Sequence, residues 1–118
     1  MFGAVQHCEV HTAEPTRTAG FLQLQRARVR WFLSTDRGDL PEAAVRAGRT
    51  TYRSITVNGT ELEFSGGFTD LHTRVYEDVL AGGGYGIDDA RPAVALAHKV
   101  RNAAPAPPDD PARQHTAL

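Results

Sequence analysis

The 118-residue sequence predicts an α+β domain with an open, mostly antiparallel sheet and helices packed on one face. Apolar and polar residues alternate through much of the first half, which is typical of strands with one buried face. The dipeptide Asn58-Gly59 lies between two such stretches and is the strongest short hairpin signal in the chain. After Phe68 the apolar spacing becomes that of a helix, so we expect strands first and helices last.

The strands of the first half are predicted in order. A first strand covers residues 4–10, and Pro15 with Gly20 marks a loop over residues 14–20. The run over residues 22–33 predicts one long strand with an apolar face and a basic face. Members of the apolar face are Ala27, Val29, Trp31 and Leu33, and members of the basic face are Arg26, Arg28 and Arg30. Burial of the Trp31 ring would remove about 200 Å² from water, so we expect it in the core.

The middle of the chain predicts a short helix followed by a hairpin. Pro41 suits the first position of a helix over residues 41–47, and Asp39 lies near its cap. Gly48 can adopt the left-handed conformation that ends this helix. β-Branched residues over 50–57 then predict a strand, and the alternating run after the hairpin turn predicts its antiparallel partner.

Two helices are predicted in the second half. The first is entered at Thr69 and carries one apolar stripe, formed by Leu71, Val75 and Val79. Three glycines at residues 82–84 end it. The second helix covers residues 88–102, with two aspartates and Pro92 in its first turn and basic residues in its last, as the helix dipole favours. Residues 1–102 are thus expected to form one domain, and the proline- and alanine-rich residues 103–118 a disordered tail.

Composition excludes several classes of protein. Thirteen basic and fourteen acidic residues give a formal net charge of -1, so no overall attraction to nucleic acid or membrane is expected. Cys8 is the single cysteine, which excludes an internal disulfide. Neither a secretory signal nor an apolar run of about 20 residues is visible, so we expect a cytoplasmic protein without a membrane span.

Four motifs occur in an order and with gaps that resemble the C-terminal domain of the Gfo/Idh/MocA dehydrogenases. They lie at residues 27–34, 51–56, 64–82 and 89–92. The most informative is the 64–82 segment, FSGGFTDLHTRVYEDVLAG, which is similar to the last helix entry of that family. The branch it resembles oxidises uronates derived from UDP-N-acetylglucosamine on the way to bacterial surface polysaccharides. The resemblance covers residues 2–102.

The resemblance implies an open sheet on which neighbouring subunits pack, and therefore a homo-oligomer. It also implies an NAD-dependent enzyme whose dinucleotide-binding domain and catalytic Lys, Asp and His precede this sequence. Phe2-Gly3 is similar to the end of the family's catalytic helix. We therefore expect no catalytic or cofactor-binding residue in this chain. We also expect it to be inactive alone, with the nucleotide-binding domain upstream or on a separate chain.

The resemblance also implies a substrate site for an anionic sugar nucleotide. In the resembled family the start of the 69–82 helix faces the substrate cleft, which implies that Thr69 and His72 contact the ligand. Arg53 or one of the strand arginines would supply positive charge. The alternative is that Thr69 only caps the helix and His72 lies on its surface.

Other candidate residues are weaker. Arg26, Arg28 and Arg30 are spaced to meet a diphosphate, but pairing with acids such as Glu61 and Glu63 is the ordinary interpretation. The glycines at 82–86 follow a helix rather than a strand, so a helix stop explains them better than a phosphate loop. On one strand His7 and His11 would lie about 13 Å apart, which excludes a shared metal ion.

Two functions from different classes remain open. The first is the substrate-binding and oligomerisation domain of a sugar-nucleotide dehydrogenase. The second is a free-standing binding or oligomerisation module that has kept the sheet and lost the chemistry.

Overall fold

A computed structural model describes residues 2–67 and 69–115 of the chain. The chain divides into two compact units, one within residues 1–39 and 91–118 and one over residues 40–90. Both contain an antiparallel sheet, and the helices follow in the second half, so the α+β fold class with antiparallel sheets is confirmed. The strands divide into a three-stranded and a two-stranded sheet.

The three-stranded sheet belongs to the first unit and has the order β1-β2-β3. Its strands are β1 (Val5–Ala13), β2 (Arg17–Leu24) and β3 (Arg28–Ser34), and both pairs are antiparallel. The predicted loop over residues 14–20 was too long, because the Glu14 N–H donates to the Arg17 carbonyl over 2.8 Å and closes a tight turn. Gly20, which was expected in that loop, lies inside β2.

The predicted single strand over residues 22–33 was wrong, since the chain turns back between β2 and β3. The Leu24 N–H donates to the Ala27 carbonyl over 2.8 Å, which closes this turn. Gln25 and Arg26 donate their N–H groups to the carbonyls of Ala4 and Phe2, over 3.1 Å and 3.0 Å. The predicted alternation of faces holds over residues 28–31 of β3, whereas Leu33, expected on the buried face, is 67% exposed and Phe32 is partly buried.

The core of the first unit lies on β1 and β2. Val10, Ala19 and Phe21 are buried there, whereas the Trp31 ring, expected to anchor the core, is only partly buried. Asp39 was expected near a helix cap, but its carboxylate accepts hydrogen bonds from Arg17 Nε and Ser34 Oγ, both over 2.6 Å. The Arg17 hydrogen bond is the larger cause that lowers the pKa of Asp39.

The second unit contains α1 (Glu42–Arg46), β4 (Ser54–Val57), β5 (Thr60–Glu63) and α2 (Leu71–Leu80). The predicted hairpin is confirmed: Asn58 and Gly59 have φ angles of 51° and 83°, and the strands pair antiparallel on either side. Gly48 follows α1 with φ of 69°, as expected for a left-handed helix stop. Pro41 takes the N-cap position, one residue before the helix that it was expected to begin.

The last long helix, α3, covers Ile87–Asn102 and includes residues of both units. It begins one residue earlier than predicted, so Pro92 falls in its second turn rather than its first. No helix among the described residues is both long and apolar enough to cross a membrane.

Residues 103–115 follow α3 and make several contacts within the first unit. The Ala106 N–H donates to the Val10 carbonyl over 3.0 Å, and Pro111–Arg113 forms a 3-10 turn capped by the Asp110 carboxylate. The His115 ring stacks on Phe32 with centroids 5.5 Å apart. The division into a domain over residues 1–102 and a disordered tail stays a prediction.

Candidate functional site

The three residues predicted to bind substrate, Arg53, Thr69 and His72, all belong to the second unit. Arg53 precedes β4, Thr69 lies in the turn before α2, and His72 is the second residue of α2. All three are exposed. Among the described residues, no hydrogen bond joins their side chains. The arrangement is therefore an open surface and not a closed pocket.

A short hydrogen-bonded loop connects β5 to the turn that carries Thr69. The Arg53 N–H donates to Ser65 Oγ over 2.7 Å, and the Phe64 N–H donates back to the Arg53 carbonyl over 2.9 Å. The Gly67 N–H closes a turn on the Phe64 carbonyl over 2.8 Å. Arg53 is thus fixed through its backbone to the segment that leads to α2, which leaves its side chain available to a ligand.

The Glu63 carboxylate holds the same loop from the other side. It accepts from the Ser65 N–H over 2.8 Å and from Arg49 Nη1 over 3.3 Å. Hydrogen bonds from Ser65 are the main cause that lowers the pKa of Glu63, and Arg49 adds to the effect. The carboxylate is therefore ionised at neutral pH and keeps Arg49 beside the loop.

A shallow depression, which was not predicted from the sequence, opens beside this loop. Its lining consists of the segment after α1 and the segment after β5, namely Gly48, Arg49, Thr50, Thr51, Glu63, Phe64, Ser65, Gly66 and Gly67. Arg49 and Ser65 were not predicted as site residues, because Arg49 lies in no motif and Ser65, although it lies in the 64–82 motif, precedes the helix start on which the prediction was based. Thr69 and His72 are outside the lining but follow it directly in the chain.

The start of α2 differs from the prediction by one or two residues. The helix begins at Leu71 with Asp70 in the N-cap position, so Thr69 does not cap it. Asp70 makes no side-chain capping hydrogen bond, which leaves the first N–H groups of α2 without that partner. An anion that approached these groups would also meet the Asp70 carboxylate, so positive charge from Arg53 is needed to favour binding.

The glycines at residues 82–84 do not form a phosphate loop. They follow α2, and Asp78 Oδ2 accepts a hydrogen bond from the Gly84 N–H over 2.8 Å. A Cβ placed at Gly83 would lie 2.6 Å from Asp78 Oδ1, so this carboxylate fills the concave side of the turn. An acidic group in that position repels phosphate, which supports the helix-stop interpretation.

The strand arginines divide into two groups. Arg28 and Arg30 extend from the same face of β3, whereas Arg26 lies in the turn before it. For Arg28 and Arg30, the expected pairing with Glu61 and Glu63 is not found among residues 2–67 and 69–115. Glu61 accepts a hydrogen bond from Tyr52, and the partners of Glu63 are those described above.

His7 and His11 converge on one carboxylate of β1. Their Nε2 atoms lie 2.8 Å and 2.9 Å from the two oxygens of Glu9. Each carboxylate oxygen is within hydrogen-bond distance of a different imidazole, so the two rings lie on either side of the carboxylate. Within the described part of the chain, no group of three or more His, Cys, Asp or Glu side chains could hold a metal ion.

Fold and sequence comparisons together define the class of this protein: the chain is homologous to one part of a dehydrogenase. No family model matches the chain. Two solved structures of the WlbA (WbpB) dehydrogenase from Thermus thermophilus do match, one in complex with NAD and alpha-ketoglutarate and one with NAD and UDP-GlcNAcA. The resemblance to the C-terminal domain of a Gfo/Idh/MocA dehydrogenase of the sugar-nucleotide branch is thereby confirmed.

The likeness is high and covers nearly all of the chain. Identity is 51% over 97% of the chain for the first structure, with a TM-score of 0.89. For the second it is 48% over 99% of the chain, with a TM-score of 0.90. The chain spans 37% of the length of that dehydrogenase in both cases.

Proposed function

We propose that the chain is the substrate-binding and oligomerisation domain of an NAD-dependent dehydrogenase that acts on a UDP-N-acetylhexosaminuronate. The observation that supports this is the 48% identity, over 99% of the chain, to a dehydrogenase solved with NAD and UDP-GlcNAcA. Since the chain matches 37% of that protein, we propose that the nucleotide domain and the catalytic residues are supplied by other sequence. A role in polysaccharide biosynthesis and a cytoplasmic location remain predictions.

The proposed substrate site uses the second unit. Thr69 and His72 would contact the sugar nucleotide at the start of α2, where free N–H groups and the helix dipole favour an anion. Arg53 would contact the uronate carboxylate or a phosphate, because a guanidinium binds either group through paired hydrogen bonds. Its backbone bonds to Phe64 and Ser65 hold it next to the segment that leads to Thr69.

The glycine turn at residues 82–84 does not suit the pyrophosphate of NAD. This turn follows a helix rather than a strand and is filled by the Asp78 carboxylate, which would repel the pyrophosphate. We therefore propose that this chain orients the sugar and takes no direct part in hydride transfer.

The proposed assembly uses the apolar face of the β4–β5 sheet. Ile55 and Leu62 lie opposite each other on this face and are 54% and 64% exposed. Val57 is also half exposed on the same side, because it is two residues from Ile55. Contiguous exposed apolar residues mark interaction surfaces, and a second copy of the chain is the partner that we propose.

A free-standing binding module is the second candidate. The stripe of Leu71, Val75 and Val79 on α2 is about half exposed, at 48%, 50% and 53%. Such a surface needs a partner whether or not an enzyme is formed, so it favours a binding role in either case. The two candidates differ in whether the chain recognises the uronate.

A titration of the ¹⁵N-labelled chain with UDP-GlcNAcA, followed by NMR, tests the proposal. The amides of residues 66–73 should move first, with a weak dissociation constant of about 1 mM because the rest of the cleft is missing from the experiment. UDP-GlcNAc, which lacks the carboxylate, should bind more weakly.

Matched variants make this titration decisive. His72→Ala and Arg53→Gln should each weaken UDP-GlcNAcA binding at least threefold. The control His98→Ala changes an exposed histidine of α3 and should leave it unchanged. Equal shifts in wild type and His72→Ala would contradict the substrate site, and the free-standing module would then be the better description.

A further inference from the structure

A second pocket lies in the first unit, between the three-stranded sheet and the 3-10 turn of residues 111–113. Its volume is about 380 Å³. Three guanidinium groups and one carboxylate take part in its lining, which consists of Phe21, Gln23, Arg28, Arg30, Asp110, Ala112 and Arg113. Small-molecule sites begin at roughly 300 Å³, so the space suits a small anion.

The register of the sheet places the residues that form the floor of this pocket side by side. Arg28 is paired with Gln23, and Arg30 with Phe21, across β2 and β3. Directly opposed residues extend from the same face, so all four side chains lie on one side of the sheet. Arg28 and Arg30 are two residues apart, a spacing of about 6.6 Å along the strand. Two guanidinium groups at this distance can contact different oxygens of one diphosphate.

Arg113 completes the pocket from the segment that follows α3. Its guanidinium carbon lies 5.2 Å from the centroid of the Phe21 ring, in a cation–π contact. Its Nη1 also donates to Glu9 Oε1, whose side chain is only 13% exposed. Glu9 is held in turn by His7 and His11. Arg113 is therefore fixed at the wall by two contacts on different sides.

The lining of the pocket carries more positive than negative charge. Arg113 is neutralised in part by Glu9, and Asp110 uses one carboxylate oxygen to cap the 3-10 turn through the Ala112 N–H, over 2.9 Å. Neither Arg28 nor Arg30 has an ion-pair partner among residues 2–67 and 69–115, and both are exposed. Two guanidinium groups on one face repel each other, and an oxyanion between them would remove that repulsion.

We propose that this pocket binds a phosphate-type oxyanion, with Arg28 and Arg30 as its direct ligands and Arg113 as the residue that closes it. The site does not depend on the proposed substrate site, because it uses residues of the first unit only. It adds an anion-binding function that Thr69, His72 and Arg53 do not supply.

Calorimetric titration of the full chain with inorganic pyrophosphate tests this proposal. We expect saturable binding at one site, weaker binding of inorganic phosphate, and at least tenfold weaker pyrophosphate binding by the double variant R28Q/R30Q. The control Arg101→Gln removes a positive charge from an exposed position of α3 and should change the affinity less than twofold.

Titrations with a further variant and a second ligand distinguish the possible outcomes. Arg28→Lys keeps the charge but loses the paired guanidinium contacts, so a loss of affinity in this variant supports direct ligation. Citrate tests for a carboxylate site, and tighter binding of citrate than of pyrophosphate would overturn the phosphate assignment. Equal losses in R28Q/R30Q and Arg101→Gln, or no saturable binding at all, would overturn the site. If R28Q/R30Q does not fold, Arg28→Lys and Arg113→Gln are compared with the control instead.

Discussion

Gly20 leaves the space that the indole ring of Trp31 occupies. The two residues are paired across β2 and β3, and a Cβ at Gly20 would lie 2.6 Å from Trp31 Cζ2 and 2.2 Å from the Glu9 carbonyl oxygen. Neither distance is compatible with a real side chain, and one of the two atoms belongs to the backbone of β1. Gly20 is therefore required inside the strand although glycine disfavours strands in general.

The first prediction concerns this contact. Gly20→Ala should lower the free energy of unfolding by about 2 kcal/mol, because the ring and β1 must both move to admit a methyl group. Urea denaturation followed by Trp31 fluorescence measures the loss. Gly66→Ala is the control, since nothing lies within 4 Å of a Cβ there, and an equal effect of both variants would contradict the explanation.

The second prediction concerns Glu9. Hydrogen bonds from His11, and then from His7 and Arg113, lower the pKa of Glu9 from 4.5 to about 2. Glu9→Gln should therefore reduce the free energy of unfolding by about 1–2 kcal/mol at pH 7. The stabilisation from Glu9 is present above pH 4.5 and is lost as the pH falls toward 2, because the unfolded state takes up the proton first.

The pH dependence provides the check on Glu9. The difference in stability between wild type and Glu9→Gln should shrink steadily when urea denaturation is repeated from pH 5 down to pH 3. Glu42→Gln removes an exposed carboxylate that pairs with the exposed Arg46, so it should cost less than about 0.5 kcal/mol. A difference that stays constant with pH would exclude the ionised Glu9 as its cause.

The third prediction concerns His115. Burial, and to a smaller degree the charge of Arg30, lowers the pKa of His115 below 6.5. Arg30→Gln should raise this pKa, which NMR titration of the ring protons measures directly. Arg28→Gln is the matched control and should leave it unchanged. Since the unfolded state binds the proton more readily, His115 stabilises the fold above about pH 6.5 and this contribution is lost as the pH falls.

The fourth prediction concerns assembly. At tens of micromolar the chain should form a dimer or larger oligomer, detected by light scattering against the 12.8 kDa mass of one chain. The double variant I55K/L62E should be monomeric and folded, because its two opposite charges face each other across the strands. Thr56→Lys places one charge on the other face, opposite Glu61, and should remain assembled. A wild-type monomer would contradict the proposed interface.

The fifth prediction concerns NAD. Calorimetric titration of the chain alone should show no micromolar affinity, because the Asp78 carboxylate fills the glycine turn where a pyrophosphate would have to lie. Micromolar binding would show that other residues of this chain hold the cofactor.

Local signals predicted those elements whose partners are close in the sequence. The Asn58-Gly59 hairpin, the Gly48 helix stop and the two long helices depend on neighbouring residues, and all are found. The turn between β2 and β3 depends on residues that are distant in the sequence. The N–H groups of Gln25 and Arg26 donate to carbonyls of the N-terminal segment. The turn contains no glycine or proline, so the sequence alone did not indicate it.

The candidate sites show the same limit. Thr69 and His72 could be placed at a helix start from the sequence, but the bonds that fix Arg53 cross from β4 to the loop after β5. The oxyanion pocket was still harder to predict from the sequence. Arg28 and Arg30 were visible as a basic row, whereas Arg113 lies 85 and 83 residues after them in a segment without an apolar pattern.

The hydrogen bond from Ala106 to Val10 has a consequence for how the chain behaves among its own copies. In the described part of the chain β1 pairs with β2 on one side only, so its other side presents backbone donors and acceptors along the edge of the sheet. Ala106 occupies one acceptor, and its neighbours Pro105, Pro107 and Pro108 have no N–H to offer to an incoming strand. At this point of β1, the proline-rich segment therefore offers few N–H groups for pairing, which disfavours the addition of a further strand there.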